Sequence, residues 1–273
     1  MILQYVSSNK HTYNLNVAGS LVKQANFHTW GWDPVATNLQ FGARVSAFRR
    51  DPLVYKATLI SYGSQTQRKA WFDALHEDFE LDVRNQKPGR IYWGDYFIDC
   101  YITDSTMAPD KVPTRTGNEI EIYCPHPFWV KPQKRSFAPQ ASEQQSAFLD
   151  YPYDYEYDYY AGDAGRAVWQ TGIPFGGEFE MVIYGPAANP RILANNYPYQ
   201  INVTLAASEY LILNTQTHTI THYQSNGQTA NIFDLRDKEN SVFEPMPAGD
   251  ITFIWNGAFG FDLTIFEERS EPR

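Results

Sequence analysis

From residue 178 to residue 266 the chain is a succession of short runs of alternating, β-branched and aromatic residues. Each run is cut off by a turn signal, and nowhere does the pattern repeat with the 3.6-residue period of a helix. The runs fall at 178–184, 200–205, 210–213, 217–224, 229–235, 251–255 and 259–266. Asn226-Gly227 and Asn256-Gly257 punctuate them. Asn-Gly tolerates the positive φ of tight turns, so a hairpin is expected at each. Short strands at this spacing predict a β-sandwich.

The first half is also β-patterned, with one helix. Strand-like runs are expected at 1–6, 13–17, 41–49 and 53–61, punctuated by Asp33-Pro34, Asp51-Pro52 and Gly63. Ser64 or Thr66 can cap a helix in which Trp71, Leu75 and Phe79 share a face and Asp73, Glu77 and Asp78 take polar positions. Gln86-Lys87-Pro88-Gly89 would stop it. A hairpin is expected over 90–93 and 96–103 about Gly94-Asp95, then a half-buried strand over 118–124, where Glu119, Ile120, Glu121 and Ile122 alternate. Pro125-His126-Pro127-Phe128-Trp129 closes this segment.

Between the halves, a polar, Gln-rich stretch runs into residues 150–160, where Asp150, Asp154, Glu156 and Asp158 nearly alternate with Tyr151, Tyr153, Tyr155, Tyr157, Tyr159 and Tyr160. The expected organisation is a first β domain over 1–132, a connector over 133–165 and a second domain over 166–273. The acids repel and extend the tract, and the rings offer flat docking surfaces. A solvated linker is one reading. An ordered connector packed on a partner or on the chain's own domains is favoured, because six exposed tyrosines would be unusual.

Aromatic residues make up 16% of the chain and charged residues only 19%, which favours β structure and interfacial surface. The net charge of −9 sits in the second half: residues 1–133 balance at +1 and residues 134–273 at −10. With no basic stripe, tight nucleic-acid binding is not expected. Nor is a membrane span, since no run of eighteen apolar residues occurs. The first eleven residues are too polar for a signal peptide, so folding in a cytosol is expected, with Cys100 and Cys124 as buried free thiols.

Catalytic patterns are missing. His218 and His222 flank Thr-Ile-Thr, which reads as a strand, and four residues of strand span roughly 13 Å, too far for one ion. No G-x-S-x-G elbow, P-loop or dinucleotide fingerprint occurs, and Gly172–Gly177 precedes a strand rather than a helix. The acids of the tyrosine tract lack the rigid scaffold a glycosidase pair needs. No enzyme, cofactor or metal is therefore expected. Trp30 and Trp32, about Gly31, could stack on a sugar or pack into an interface. With Tyr151, Tyr153 and Tyr155 they are the candidate interface or glycan contacts.

The order of these features resembles the distal tail protein family of phages with long, non-contractile tails. In the first half the resemblance rests on Asn26-Phe27-His28, the run Gly42-Ala43-Arg44-Val45-Ser46-Ala47-Phe48, Arg50-Asp51-Pro52, the helix, the 90–103 hairpin and the strand ending Pro-His-Pro-Phe-Trp. The Asp-Tyr-Pro-Tyr-Asp-Tyr run at 150–155, Gly185-Pro-Ala-Ala-Asn-Pro-Arg191 and residues 261–269 extend it over nearly the whole chain. The resemblance implies a mainly β protein of two β-sandwich domains. The N-terminal one is tail-tube-like with one α-helix, and the C-terminal one is galectin-like. It implies a hexameric ring at the distal tail end in the virion, made in the bacterial host cytoplasm. Its partners would be itself, the tail tube protein, the tail hub protein and a receptor-binding protein. A near-neutral first domain suits a ring-former. The sugar motif of galectins is incomplete: Asn189-Pro190-Arg191 is present, but Ala187 stands in the place of histidine, and neither Trp169 nor Trp255 is followed three residues on by Glu. A module that binds host cell-wall glycan is the alternative reading.

Overall fold

A computed structural model describes residues 3–17, 19–23, 25–108, 114–140 and 165–273. Tyr151, Tyr153 and Tyr155 lie outside the described residues. The chain divides into two compact units, one of residues 1–131 with 268–273 and one of residues 132–267. Both are mainly β, as expected, and one α-helix occurs among the described residues.

The first unit contains β1 (Leu3–Val6), β2 (Thr12–Asn14), β3 (Ser20–Lys23), β4 (Asp33–Asn38), β5 (Ala43–Arg49), β6 (Leu53–Tyr62), the helix α1 (Gln65–Arg84), β7 (Gly89–Trp93), β8 (Tyr96–Ala108), β9 (Arg115–Cys124) and the start of β10 (Trp129–Phe137). Its strands run in the order β2-β1-β7-β8. The long β8 then turns its second half to β9, followed by β6 and β3. A bulge between Ile102 and Asp104 marks the turn, where an extra residue bends the strand. Residues 133–137, expected in a connector, are instead the second part of β10.

Helix α1 begins as expected. Ser64 accepts from the Gln67 backbone N–H while the Gln67 side chain reaches back, a complete capping box. Its buried face differs from the expected one. Phe72, Leu75 and Phe79 enter the core, flanked by Arg68, Asp78 and Asp82, whereas Trp71 is only half-buried. A 3.6-residue period carries the stripe through 68, 72, 75, 79 and 82 rather than through every fourth residue.

The two buried acids pin α1 to the first hairpin. Tyr5 Oη donates to Asp82 Oδ2, and the Ser8 backbone N–H donates to Asp82 Oδ1 at 3.0 Å. Tyr13 Oη donates to Asp78 Oδ2 at 2.6 Å, beside the His11 ring. Burial first, then these carboxylates, raise the pKa of both tyrosines, so both stay protonated donors. Gly89 is needed here: a Cβ would stand 2.5 Å from Tyr5 Oη and 2.7 Å from Asp82 Oδ2. Tyr5→Phe strips the buried Asp82 carboxylate of its side-chain donor and leaves it, of these two donors, only the Ser8 N–H, so a loss of roughly 1.5–3 kcal/mol is expected from urea unfolding. An unchanged midpoint would show that Asp82 does not depend on it.

The second unit holds the rest of β10 and β11 (Gly165–Gln170), β12 (Phe179–Tyr184), β13 (Ala187–Ala188), β14 (Arg191–Ala194), β15 (Tyr197–Gln200), β16 (Thr204–Leu205), β17 (Tyr210–Asn214), β18 (Thr219–Tyr223), β19 (Thr229–Asn231), β20 (Asp250–Trp255) and most of β21 (Phe261–Arg269). One sheet runs β19-β18-β17-β12-β21-β10 and the other β11-β20-β14-β15. Alternate residues of each enter one core: Phe179, Met181 and Ile183 from β12 and Phe261, Leu263 and Ile265 from β21 meet Ile251, Phe253 and Trp255 from β20. This is the expected sandwich.

Two local expectations change. Asn226-Gly227 does join the paired strands β18 and β19, with Gly227 at φ 82°. Asn256-Gly257 instead joins β20 of one sheet to β21 of the other, so it makes a crossover and not a hairpin. Residues 229–235 form only the short β19 before a 3-10 turn over Phe233–Leu235.

Candidate assembly surface

Among the described residues strands β4 and β5 pair only with each other, and every residue in both is exposed. Register shows why this hairpin is unusual. Pro34 faces Phe48 and Ala36 faces Val45 across the ladder, with a bulge between Val35 and Ala36 that keeps these residues on one side. One face is therefore mainly apolar (Pro34, Ala36, Ala43, Val45 and Phe48, with Asn38 near the tip), while Asp33, Thr37, Arg44 and Arg49 lie on the other with Val35 and Ala47. Phe48 is 62% exposed, and the tip presents Leu39 at 57% and Phe41 at 87%. A lone two-stranded hairpin is marginal in water, and an amphipathic one with its apolar face bare is a surface waiting for a partner.

Trp30 and Trp32 lead into this hairpin, 52% and 44% exposed. The Trp32 ring lies 6.0 Å from Phe128, and the Arg50 guanidinium sits 4.7 Å from Phe128 and 5.8 Å from Trp32. Arg50 Nη1 in turn donates to Ser270 Oγ at 3.0 Å, and Nη2 to the Ser270 carbonyl at 3.3 Å. His126 meets Glu268 at 2.7 Å, and His28 meets Glu271 at 3.8 Å. The last residues of the chain are thus strapped beside the hairpin root, a contact set that sequence spacing does not reveal.

The Glu268 hydrogen bond, opposed in part by burial, raises the His126 pKa above its ordinary value. A raised folded pKa means the strap gains its full stabilisation below the unfolded pKa of about 6.5 and loses it as pH rises through the folded value. Hydrogen exchange at residues 268–273 is therefore expected to accelerate, beyond its intrinsic pH dependence, from pH 5.5 to 8.5, and His126→Gln to remove that excess.

Elsewhere the described residues assemble no catalytic set. His218 sits in the turn before β18 at φ 52°, its ring 5.0 Å from Phe243, while His222 contacts Glu209 at 3.2 Å. Glu209 also accepts the Ala206 and Ser225 backbone N–H groups, which lower its pKa with the Ala206 bond foremost. Both histidines serve local packing. Ser105 Oγ lies 2.9 Å from His76 Nε2, but the buried Asn118 amide meets the same nitrogen at 2.6 Å, so this is a packing network as much as a dyad. Among the described residues no group of three or more His, Cys, Asp or Glu side chains could hold a metal. Asn189-Pro190 is a bend between β13 and β14, with Arg191 the first residue of β14, and Trp169 and Trp255 are core residues of the second unit. Cys100 and Cys124 are buried and free, as expected.

No protein-family model and no curated protein matches the chain. Solved structures do. The SPP1 Dit protein, described as a paradigm of the hub adsorption apparatus in phages that infect Gram-positive bacteria, is similar at a TM-score of 0.64 and 8% identity, covering 98% of this chain and 100% of that one. A chain of the phage P2 baseplate in its activated conformation with Ca is similar at a TM-score of 0.65 and 11% identity, covering all of both chains. The same baseplate with Sr gives a TM-score of 0.64 at 11% identity. From end to end, then, this chain carries the fold of phage distal tail and baseplate proteins.

Proposed function

We propose that the protein is a structural, non-enzymatic component of a phage tail tip. Six copies form a ring at the distal end of the tail, joining the tail tube to the hub and to receptor-binding or baseplate proteins. The observation that carries this reading is the bare apolar face of the β4–β5 hairpin, in a chain whose fold is shared with hub and baseplate proteins. That face needs a partner, and the nearly neutral first unit can accept copies of itself without charge repulsion. Trp30 and Trp32, at the hairpin root, belong to the same contact. The domains keep separate tasks: residues 1–132 build the ring, and the acidic second domain faces outward as an adaptor. Carbohydrate binding has less support, since the Asn-Pro-Arg bend lacks its histidine and both tryptophans of the second unit are in its core. Light scattering behind size exclusion tests the reading. A mass near six times the 31.4 kDa of the chain is expected, and a monomer that persists with the tube and hub proteins added would contradict it.

A further inference from the structure

We propose that the outer face of the sheet β11-β20-β14-β15 is the docking surface for the tyrosine–acid tract of the same chain, residues 150–160. The tract lies outside the described residues, but the stretch that carries it, 141–164, is fixed at both ends. The Gln140 backbone N–H donates to the Gly257 carbonyl at 2.9 Å, and Gln140 Oε1 accepts the Arg166 N–H at 3.1 Å. Gln140 and Arg166 thus stand side by side in the second unit, at the start of β11. The chain leaves and rejoins this unit at one place, on an edge strand of the sheet that would receive the tract. Tyr160 is five residues from Gly165, at most about 18 Å. Four strands are roughly 15 Å across, so the tract can reach all of them.

The face itself selects this occupant. Alternate residues of the four strands point away from the core. Arg166 faces Ile254, Ile254 faces Leu193 and Leu193 faces Pro198, a row that crosses the whole sheet. Val168, 49% exposed, lies in the next row opposite Thr252, and Arg191 lies opposite Gln200. Arg135 reaches the open edge of β11, where its Nη1 donates to the Val168 carbonyl at 2.7 Å. The result is an apolar floor bordered by arginines, with Asp250 at its far end. Residues 132–267 hold six Lys and Arg, and three of them are here. Among the described residues no salt bridge holds any of the three, whereas Lys134 pairs with Asp262. Residues 141–164 contain six acids, six tyrosines and no Lys or Arg. They therefore bring carboxylates for the guanidinium groups, and rings for the floor and for stacking on Arg166 and Arg191. The Arg135 bond takes an edge carbonyl that an added strand would need, so the tract lies on the face and does not extend the sheet. The contact lies within one unit of one chain, so it holds with or without a ring.

Chymotrypsin, which cuts after tyrosine, tests the docking on the full chain. Cleavage within 150–160 is expected to be slow in the parent and about tenfold faster in Arg166→Glu with Arg191→Glu, because cleavage tracks the undocked fraction. Val168→Glu, on the same floor, is expected to act in the same direction. Lys69→Glu with Lys87→Glu, exposed on the first unit, makes the same change in net charge and is expected to leave the rate as it is. A parent tract cut as fast as a synthetic peptide of residues 148–162 overturns the docking. So does a tract that stays equally protected in the face variants, which would place it on another surface. Carbodiimide coupling then shows whose tract it is. In Arg166→Lys with Arg191→Lys, which keep the charge, the new amines are expected to form amide bonds to acids of the tract at single-chain mass. Bonds found only in covalent dimers would give the face to the tract of a second copy and overturn the contact within one chain. Absence of any bond to the tract also overturns the docking.

Discussion

Leu75→Asp is expected to unfold the first unit. Leu75 is 0% exposed on the inner face of α1, between Phe72 and Phe79 and within the core that also holds Tyr5, Leu59, Ile98, Ile122 and Trp129. Truncation to alanine alone would cost about 2–5 kcal/mol. Aspartate loses the same packing and adds a carboxyl group in a cluster where the other acids each have a donor and this one would have none. The cost should exceed about 4 kcal/mol, a large part of the roughly 5–15 kcal/mol that holds a domain together. Circular dichroism should show lost helix signal and a lowered transition. A folded, soluble Leu75→Asp protein that merely failed to assemble would move this face of α1 from the core to an interface.

The second large effect is the opposite in kind. Val45→Glu with Phe48→Glu should leave folding intact, because both side chains are exposed and neither belongs to a core cluster. Assembly should fall sharply. If each is an anchor worth about 2 kcal/mol, the pair weakens self-association on the order of a thousandfold. An unchanged melting curve with a shift to monomer mass is the expected result. A variant that assembles like the parent would show that the hairpin face is not buried between copies. The two experiments separate the core of the first unit from its contact surface, so neither result can be mistaken for the other.

Local chemistry made part of this fold legible. The Ser64 cap, the Gly94-Asp95 turn and the alternation of Glu119 to Ile122 each depend on a few neighbouring residues, and each appears in the structure as expected. What failed depends on distant partners. Asn256-Gly257 is a turn, but nothing near it shows that β20 and β21 belong to different sheets. The polar members of the buried helix stripe, Arg68, Asp78 and Asp82, look solvated until Tyr5, Tyr13 and Thr116 are brought to them. Strands β14 and β15 are only four residues each, below the length at which alternation is informative. Their Asn195-Asn196 turn, with φ values of 46° and 69°, is the signal that could have found them.

The candidate assembly surface was half legible. Trp30 and Trp32 stood out for their size, and they do mark the root of the exposed hairpin. The strand expected over 41–49 is present as β5, but its partner β4 was hidden because Asp33-Pro34, which opens it, reads as a turn signal, and because a sequence does not show which apolar face its own domain leaves uncovered. The strap of Arg50, His126 and Glu268 joins residues more than 140 positions apart and carries no local signature.

Negative-stain images of the purified chain at its assembled mass test the central claim most directly. The account predicts class averages with sixfold symmetry and a central hole wide enough for duplex DNA. Compact particles without a hole, or closed dimers, would contradict it.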